Sequence, residues 1–327
     1  MAIIDNTQSL KAGILSDLKD TWRQEQPTYE AQQKKLMKFL SASTIRNATY
    51  VFKESTPFPK KWPYGKGRIW QALRDRFITM GKTPFDLSVA WSIWDARDDQ
   101  IARDDIRTHV QACVKRYLLL PFVLLSEYFN GTAVLNDSII NAYDGAALFS
   151  ATSGDGSNRY GAAGGNIITG SGLTVAGVLH DIALAQRRFL DFVDPTAEKP
   201  LWDAKDVEFP KLCVIGPNSA NEIFQKAAKS EFIRSDPANN TSESNYLMGT
   251  FEWELNPFLT DSSDYYVQFD HPYYKPFMFR GSEELESFMR EVGNSDHARE
   301  FFEEGFLSNM RVFMAPFFPG CIIKINN

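Results

Sequence analysis

The feature that most constrains this chain is the run of residues 48–131, where three patterns follow one another without a break. A strand pattern, Thr49-Tyr-Val-Phe-Lys-Glu-Ser, continues into a stretch holding Pro57, Pro59 and Pro63. Proline has no amide hydrogen to give to a ladder, so this stretch is an extended tip rather than a paired strand. Next, Phe85, Leu87, Val89, Trp91 and Ile93 alternate with Asp86, Ser88, Ala90 and Ser92, the period of a half-buried strand. After a charge-dense opening at residues 95–99, Ile106, Val110, Cys113, Tyr117 and Leu120 take up helical spacing, sustained to Phe129 and stopped by Gly131. A projecting two-stranded loop that feeds one long helix cannot bury itself. It must lie on a neighbouring surface, which points to binding between copies of this chain.

Details along this run carry further expectations. Asp98, Asp99, Asp104 and Asp105 crowd the helix start, where carboxylates suit the dipole. Pro121 is expected to kink or divide the helix. Residues 69–77 read as a short helix. Upstream, Leu10, Ile14, Leu18 and Trp22 recur every fourth residue in a charged, helix-friendly segment broken at Pro27. So narrow a stripe is expected to dock as an arm on a neighbouring subunit.

Downstream, residues 150–172 hold seven glycines and no lysine, a long flexible loop or irregular strand pair. Residues 174–192 resume a helix through Val175, Val178, Leu179, Ile182 and Phe189, with Gln186 interrupting the stripe. Leu212-Cys-Val-Ile215 is a short buried strand. A helix follows to Lys229, with Asn218 or Ser219 as its N-cap. Residues 230–244 are polar and loop-like. Strand patterns recur at 250–255, 265–269, 276–280, 301–318 and 321–325. Because strands are not followed one by one by helices, the class is α+β rather than a doubly wound parallel sheet.

Composition narrows the function classes. A chain of 327 residues exceeds the usual single compact domain, so two lobes, or one lobe with extensions, is expected. Aromatic residues make up 13%, and large rings are favoured both in cores and at interfaces. A net charge of −6 does not suit a general polyanion binder. The first residues lack the basic and apolar regions of a secretory signal, and no apolar run is long enough to span a membrane. Cys113, Cys213 and Cys321 are far apart and read as small core residues of a reducing compartment.

The search for chemistry finds little. His109, His180, His271 and His297 show neither an HExxH motif nor a close pair, and read as structural or surface residues. No GxSxG elbow occurs, and no GK[ST] follows the glycines of residues 154–172. Asp155-Gly-Ser-Asn158 is a fragment of a calcium loop without its closing glutamate. The strongest constellation is Lys60, Lys61, Lys66 and Arg68 interleaved with Phe58, Trp62, Tyr64 and Trp70. Such a set suits single-stranded nucleic acid, docking on an acidic partner surface, or a solvated loop with locally packed rings. Glu283, Glu284 and Glu286, and residues 300–304, supply complementary charge within the same chain, so self-association is preferred.

In this layout the chain resembles the major capsid proteins of tailed bacteriophages, which have the HK97-like fold, and among them the Mu-like major head subunits. Four segments carry the likeness: Met80-Gly-Lys-Thr-Pro-Phe-Asp-Leu-Ser-Val through Asp95-Ala-Arg-Asp-Asp-Gln-Ile; Tyr143-Asp-Gly-Ala-Ala-Leu-Phe-Ser; Asn256-Pro-Phe-Leu-Thr-Asp-Ser-Ser-Asp-Tyr-Tyr-Val with Lys275-Pro-Phe-Met-Phe; and Phe301-Phe-Glu-Glu-Gly-Phe-Leu-Ser-Asn-Met-Arg-Val. Their order and spacing are the stronger signal. The His-Pro that follows the Leu-Phe segment in that family is replaced here by Ala151-Thr-Ser.

The resemblance implies an arm over residues 1–47, an extended two-stranded loop over 48–92, and a peripheral domain with a long spine helix over 93–175. It implies a mainly axial domain over 176–296, and C-terminal strands over 297–327 that return to the core. It implies hexamers and pentamers of this chain closing an icosahedral shell around double-stranded DNA, held without sequence-specific binding. Scaffolding and portal proteins are implied partners, decoration proteins a further option, and neither cofactor, metal nor catalytic residue is implied. The place is the virion, assembled in the host cytoplasm. Expected inter-subunit contacts are Lys60, Lys61, Trp62, Tyr64, Lys66, Arg68 and Trp70 on one side and Glu283, Glu284 and Glu286 on the other. An encapsulin-like compartment and a soluble hydrolase built on Asp98, Asp99, Asp104 and Asp105 are the alternatives.

Overall fold

A computed structural model of the chain describes residues 2–39, 49–53, 75–79, 83–92, 94, 100–136, 138–194, 199–205, 207, 212–236, 241–280, 286–290, 295–301 and 303–327. In chain order the elements are α1 (Ala2–Gln33), β1 (Met37–Phe39), β2 (Thr49–Lys53), β3 (Asp75–Thr79), β4 (Thr83–Ser92) and α2 (Gln100–Asn130). Then follow β5 (Ile167–Thr169), α3 (Val175–Asp191), β6 (Leu212–Gly216), α4 (Asn221–Lys229), β7 (Phe232–Asp236), β8 (Thr241–Ser244) and β9 (Glu252–Leu255). The last are β10 (Tyr265–Phe269), β11 (Phe277–Arg280), β12 (Glu286–Arg290), α5 (Asp296–Phe301), β13 (Glu303–Pro316) and β14 (Ile322–Asn326).

Two five-stranded sheets organise the fold. One runs β1-β11-β13-β12, with β4 on the other side of β13; the second runs β5-β14-β10-β6-β9. The long β13 joins regions far apart in sequence. Its first ten residues pair antiparallel with β4, from Glu303 opposite Ser92 to Val312 opposite Thr83, and its last four pair with β11. The C-terminal β14 lies between β5 and β10.

Two cores explain the sequence patterns. One is built around α3, α4 and the second sheet; the other holds α1, α2 and the first sheet. In β10, Tyr265, Val267 and Phe269 face the first core while Tyr266 faces the second, and β6, β11 and β14 divide in the same way. These strands are buried on both faces, so they read as continuous apolar runs. In β4, Phe85, Leu87, Val89 and Trp91 pack toward α2, and the residues between them are exposed apart from the half-buried Thr83 and Ser92 at the ends. This is the alternation that the sequence showed.

Helix α2 runs unbroken through Pro121, contrary to the expected kink or division. Leu118, Leu120, Leu124 and Leu125 on both sides of the proline are buried in one core, and burying them offsets about 3 kcal/mol of proline penalty. Tyr117 and Tyr128 fix the helix to the sheet by donating to the carbonyls of Ser308 (2.7 Å) and Met314 (3.0 Å). Gly131, at φ 67°, ends it in a left-handed turn. The carboxylate of Glu127 then accepts from the amides of Val134, Leu135 and Asn136 at 2.6–3.0 Å and turns the chain back.

Other expectations need correction. Helix α1 continues through Pro27, which is exposed, so the carbonyl it frees meets water. Its stripe is covered in cis: Ile14, Leu18 and Trp22 are buried with Val110 and Val114 of α2 rather than left for a neighbour. Of the short helix expected over residues 69–77, residues 75–77 lie instead in β3, paired with β2. Residues 230–244 hold the β7–β8 hairpin, whose base is tied by the Asn245 amide donating to Ala227 O and Ser230 O. Helix α4 begins at Asn221 after a 3-10 turn, with no side-chain cap from Asn218 or Ser219. Helix α3 is as expected, with Thr174 Oγ1 accepting from Gly177 N.

Candidate assembly surfaces

The contact residues expected from sequence fall largely outside the described residues. Lys60, Lys61, Trp62, Tyr64, Lys66, Arg68, Trp70, Glu283 and Glu284 lie there, as do Asp98 and Asp99. Glu286 opens β12, in register with Asn309 of β13. The stem of the loop is described: β2 and β3 pair antiparallel, from Thr49 opposite Thr79 to Lys53 opposite Asp75. The stretch Thr83–Ser92, read from its alternation as a half-buried strand, is a strand of the first sheet.

What the described residues do offer is exposed apolar surface, and three groupings of it stand out beside the separate Trp94, Ile101, Leu190, Tyr273 and Phe301. On the outer face of β12–β13, Phe288 is 56% exposed and Leu307 is 42% exposed, directly opposite each other in register. At the base of the β7–β8 hairpin stand Phe232, Tyr246 and Met248. Beyond the end of α2, Val134, Leu135 and Phe258 form a third group, joined by Asn130, whose side chain bonds Phe258 O and Thr260 N. These side chains are the candidate docking surfaces among the described residues. Phe288 and Leu307 face out for a simple reason: strand alternation puts their neighbours Phe306 and Ser308 into the core.

The polar clusters read as structure. Arg159 sits fully buried in the glycine-rich segment, held by Asp144, by the carbonyls of Ala147 and Leu148, and by Asn166 Oδ1. That segment, expected as a long loop or an irregular strand pair, is organised around this arginine and holds β5 and the antiparallel bridge between Thr152 and Asn158. Gly165, at φ 55°, has no room for a Cβ, which would stand 2.2 Å from Ser150 O. Asp181, fully buried, accepts from Ser171 N, Ser171 Oγ and Tyr265 Oη. Burial, reinforced by this carboxylate, pushes the Tyr265 phenol far above its usual range. Asp155 caps its own turn, accepting from Ser157 N and Oγ, which accounts for the calcium-like fragment.

Asp104 and Asp105 are exposed on the first turns of α2. Among the described residues, no group of three His, Cys, Asp or Glu could hold a metal ion. Cys213 and Cys321 are buried free thiols whose pKa burial raises; Cys113 is half-buried and also free. His180 is exposed, with Nδ1 2.9 Å from Ser171 Oγ, and His271 is packed beside Trp202 and Tyr274. Among the described residues, no helix is long and apolar enough to cross a membrane.

No family model matches the chain, and no curated protein matches it. Solved structures do. The capsid of an empty GTA particle superposes with a TM-score of 0.55 at 10% identity, covering 91% of this chain and 90% of that one. The capsid of cyanophage P-SCSP1u gives 0.53 at 9% identity, covering 89% and 86%. A chain of Microbacterium phage Oxtober96 gives 0.53 at 12% identity, covering 89% of each. The chain therefore has the α+β, HK97-like fold of these phage capsid structures over nearly its whole length.

Proposed function

We propose that this chain is the major head subunit of a tailed phage, assembling into hexamers and pentamers that close an icosahedral shell around double-stranded DNA. The observation that carries this reading is the likeness to capsid subunits over nine-tenths of both chains. The exposed apolar groups on the first sheet, the β7–β8 hairpin and the end of α2 support it, because a shell subunit needs several docking surfaces at once.

Within that reading, residues 1–47 are the arm, 48–92 carry the extended loop, 93–175 the peripheral domain with α2 as spine, 176–296 mainly the axial domain, and 297–327 the returning strands. The basic, aromatic tip from Lys60 to Trp70 docks on the acidic stretch Glu283–Glu286 of a sister subunit. The role is structural rather than enzymatic, the place is the virion, and scaffolding and portal proteins assist assembly in the host cytoplasm. Placement with the Mu-like major head subunits rests on the four quoted motifs. An acidic chain of net charge −6 holds phosphate weakly and lets packed DNA move.

The test is electron microscopy and sedimentation of the purified chain, alone and with its scaffolding protein. Closed shells or capsomers are the expected result. Compact monomers at every concentration and salt level would sink the reading.

A further inference from the structure

The outward face of β12–β13–β4 is laid out in rows by the strand register. Phe288, Leu307 and Ser88 form the central row. One step toward the start of β13 stand Arg290, Gly305 and Ala90; one step the other way stand position 286, a glutamate, with Asn309 and Asp86. The outermost β13 positions on this face are Glu303 at one end and Arg311 at the other. Ser88, Ala90, Asp86 and Arg311 are exposed, and Leu307 and Phe288 give the face its apolar centre. The Arg290 guanidinium extends over the glycine at 305: its Nη2 lies 3.6 Å from the place a Cβ there would occupy and 3.6 Å from Glu303 Oε2.

We propose that this face packs on the same face of a second copy about a two-fold axis that crosses the strands through the Phe288–Leu307–Ser88 row. The proposal rests on the shell reading above and names one of its contacts. Such an axis lays each strand over itself with its direction reversed. Leu307 then meets Leu307 of the second copy and Phe288 meets Phe288, which removes the apolar centre from water. The reversal also sets Arg311 over Glu303 of the second copy. This match joins opposite charges on either side of an apolar centre, the arrangement that selects one register of association. A two-fold axis running along the strands would instead stack Arg311 on Arg311 and Glu303 on Glu303. Charge therefore chooses between the two symmetric packings. Small residues at 88, 90 and 305 let a second sheet approach to the usual spacing of about 10 Å. Hexamers and pentamers that close a shell meet across two-fold axes, where contacts are self-complementary.

The experiment uses the full chain carrying Leu307→Cys or, separately, Ser88→Cys, treated with a short bifunctional maleimide, because facing cysteines in sheets about 10 Å apart lie beyond the reach of a disulfide. Both positions lie on the proposed axis, and both side chains are exposed, so either variant keeps the fold. Each is expected to form a thioether-linked dimer that wild type, with its buried or half-buried thiols, does not. Arg311→Glu is expected to weaken dimerisation roughly tenfold, the scale of opposed like charges, and adding Glu303→Arg is expected to restore it. Absence of cross-linked dimer in both cysteine variants overturns this contact, whether or not shells form. Cross-linked dimers without shells under any condition would instead keep the contact and overturn the shell reading.

Discussion

Arg159 and Asp144 form a two-pronged ion pair inside the protein: Nε donates to Oδ2 at 2.7 Å and Nη2 to Oδ1 at 2.9 Å, with the arginine fully buried. The remaining nitrogen, Nη1, donates to two backbone carbonyls and to Asn166. The Tyr143-Asp-Gly segment and the glycine-rich segment after it are therefore one unit, stitched by a single guanidinium. Asn166 extends the stitch to Ile322 O at the start of β14.

Removing the arginine leaves a carboxylate and two carbonyls without their donor in a dry site. Arg159→Met is expected to cost about 3–5 kcal/mol, the range for breaking one partner of a buried pair. Arg159→Lys keeps the charge but loses the fork, and should fall between. Urea unfolding of each variant at low protein concentration checks this. A loss below about 1 kcal/mol for Arg159→Met would mean the pair is open to solvent.

Four buried tyrosines predict how stability changes at alkaline pH. Burial pushes the phenols of Tyr128, Tyr160, Tyr265 and Tyr266 well above their ordinary value of 10.0. Their stabilising contribution is complete below pH 10.0 and is lost as pH rises from there toward the folded-state values, because the unfolded chain ionises first. Each contributes up to about 1.4 kcal/mol of loss per pH unit above that point. The urea midpoint should hold steady up to about pH 8, fall gently from pH 9.0 as the thiols of Cys213 and Cys321 ionise in the unfolded chain, and fall steeply above pH 10.0 as the tyrosines join them. Tyr266→Phe, which gives up a donation to Phe129 O, should make that fall shallower by one tyrosine's share. An equal slope in the variant would show that Tyr266 ionises freely when folded.

What could be read from the sequence follows physical lines. The β4 alternation, the extent of α2 and the helix over residues 174–192 are local signals, and the structure has them in place. The doubly buried strands were visible as apolar runs because both faces meet a core. Strand β3 was misread because five residues, Asp75–Thr79, carry too short a pattern to tell strand from helix; its identity comes from pairing with β2. The β7–β8 hairpin was hidden because its stability comes from Asn245 reaching back to two carbonyls, a contact that composition does not encode. An arginine among glycines reads as surface, and only the fold brings Asp144 and Asn166 around Arg159. The outer row of Phe288 and Leu307 is likewise a product of register between distant strands.

The arm was expected on a neighbour, and its cis docking leads to a sharp prediction. Arg107 of α2 donates to Asp17 through Nε and Nη2 at 2.8 and 2.6 Å, and Lys115 lies 3.1 Å from Glu25. Both pairs advance by eight residues on each helix, so α1 and α2 run parallel. Between the pairs, Leu18 and Trp22 fill the seam with Val110 and Val114. Both ion pairs are partly exposed and contribute little, so the apolar seam must hold the arm. Leu18→Ala is expected to weaken docking by about 2–3 kcal/mol, which speeds amide exchange in the docked part of α1 roughly 30- to 150-fold. Exchange in β10, deep between the two cores, should stay unchanged. Asp17→Asn should have a much smaller effect, and one that shrinks with added salt. If α1 were instead held by a neighbour, its protection would rise with protein concentration in wild type. Protection independent of concentration, and lost in Leu18→Ala, is the outcome that the cis seam requires.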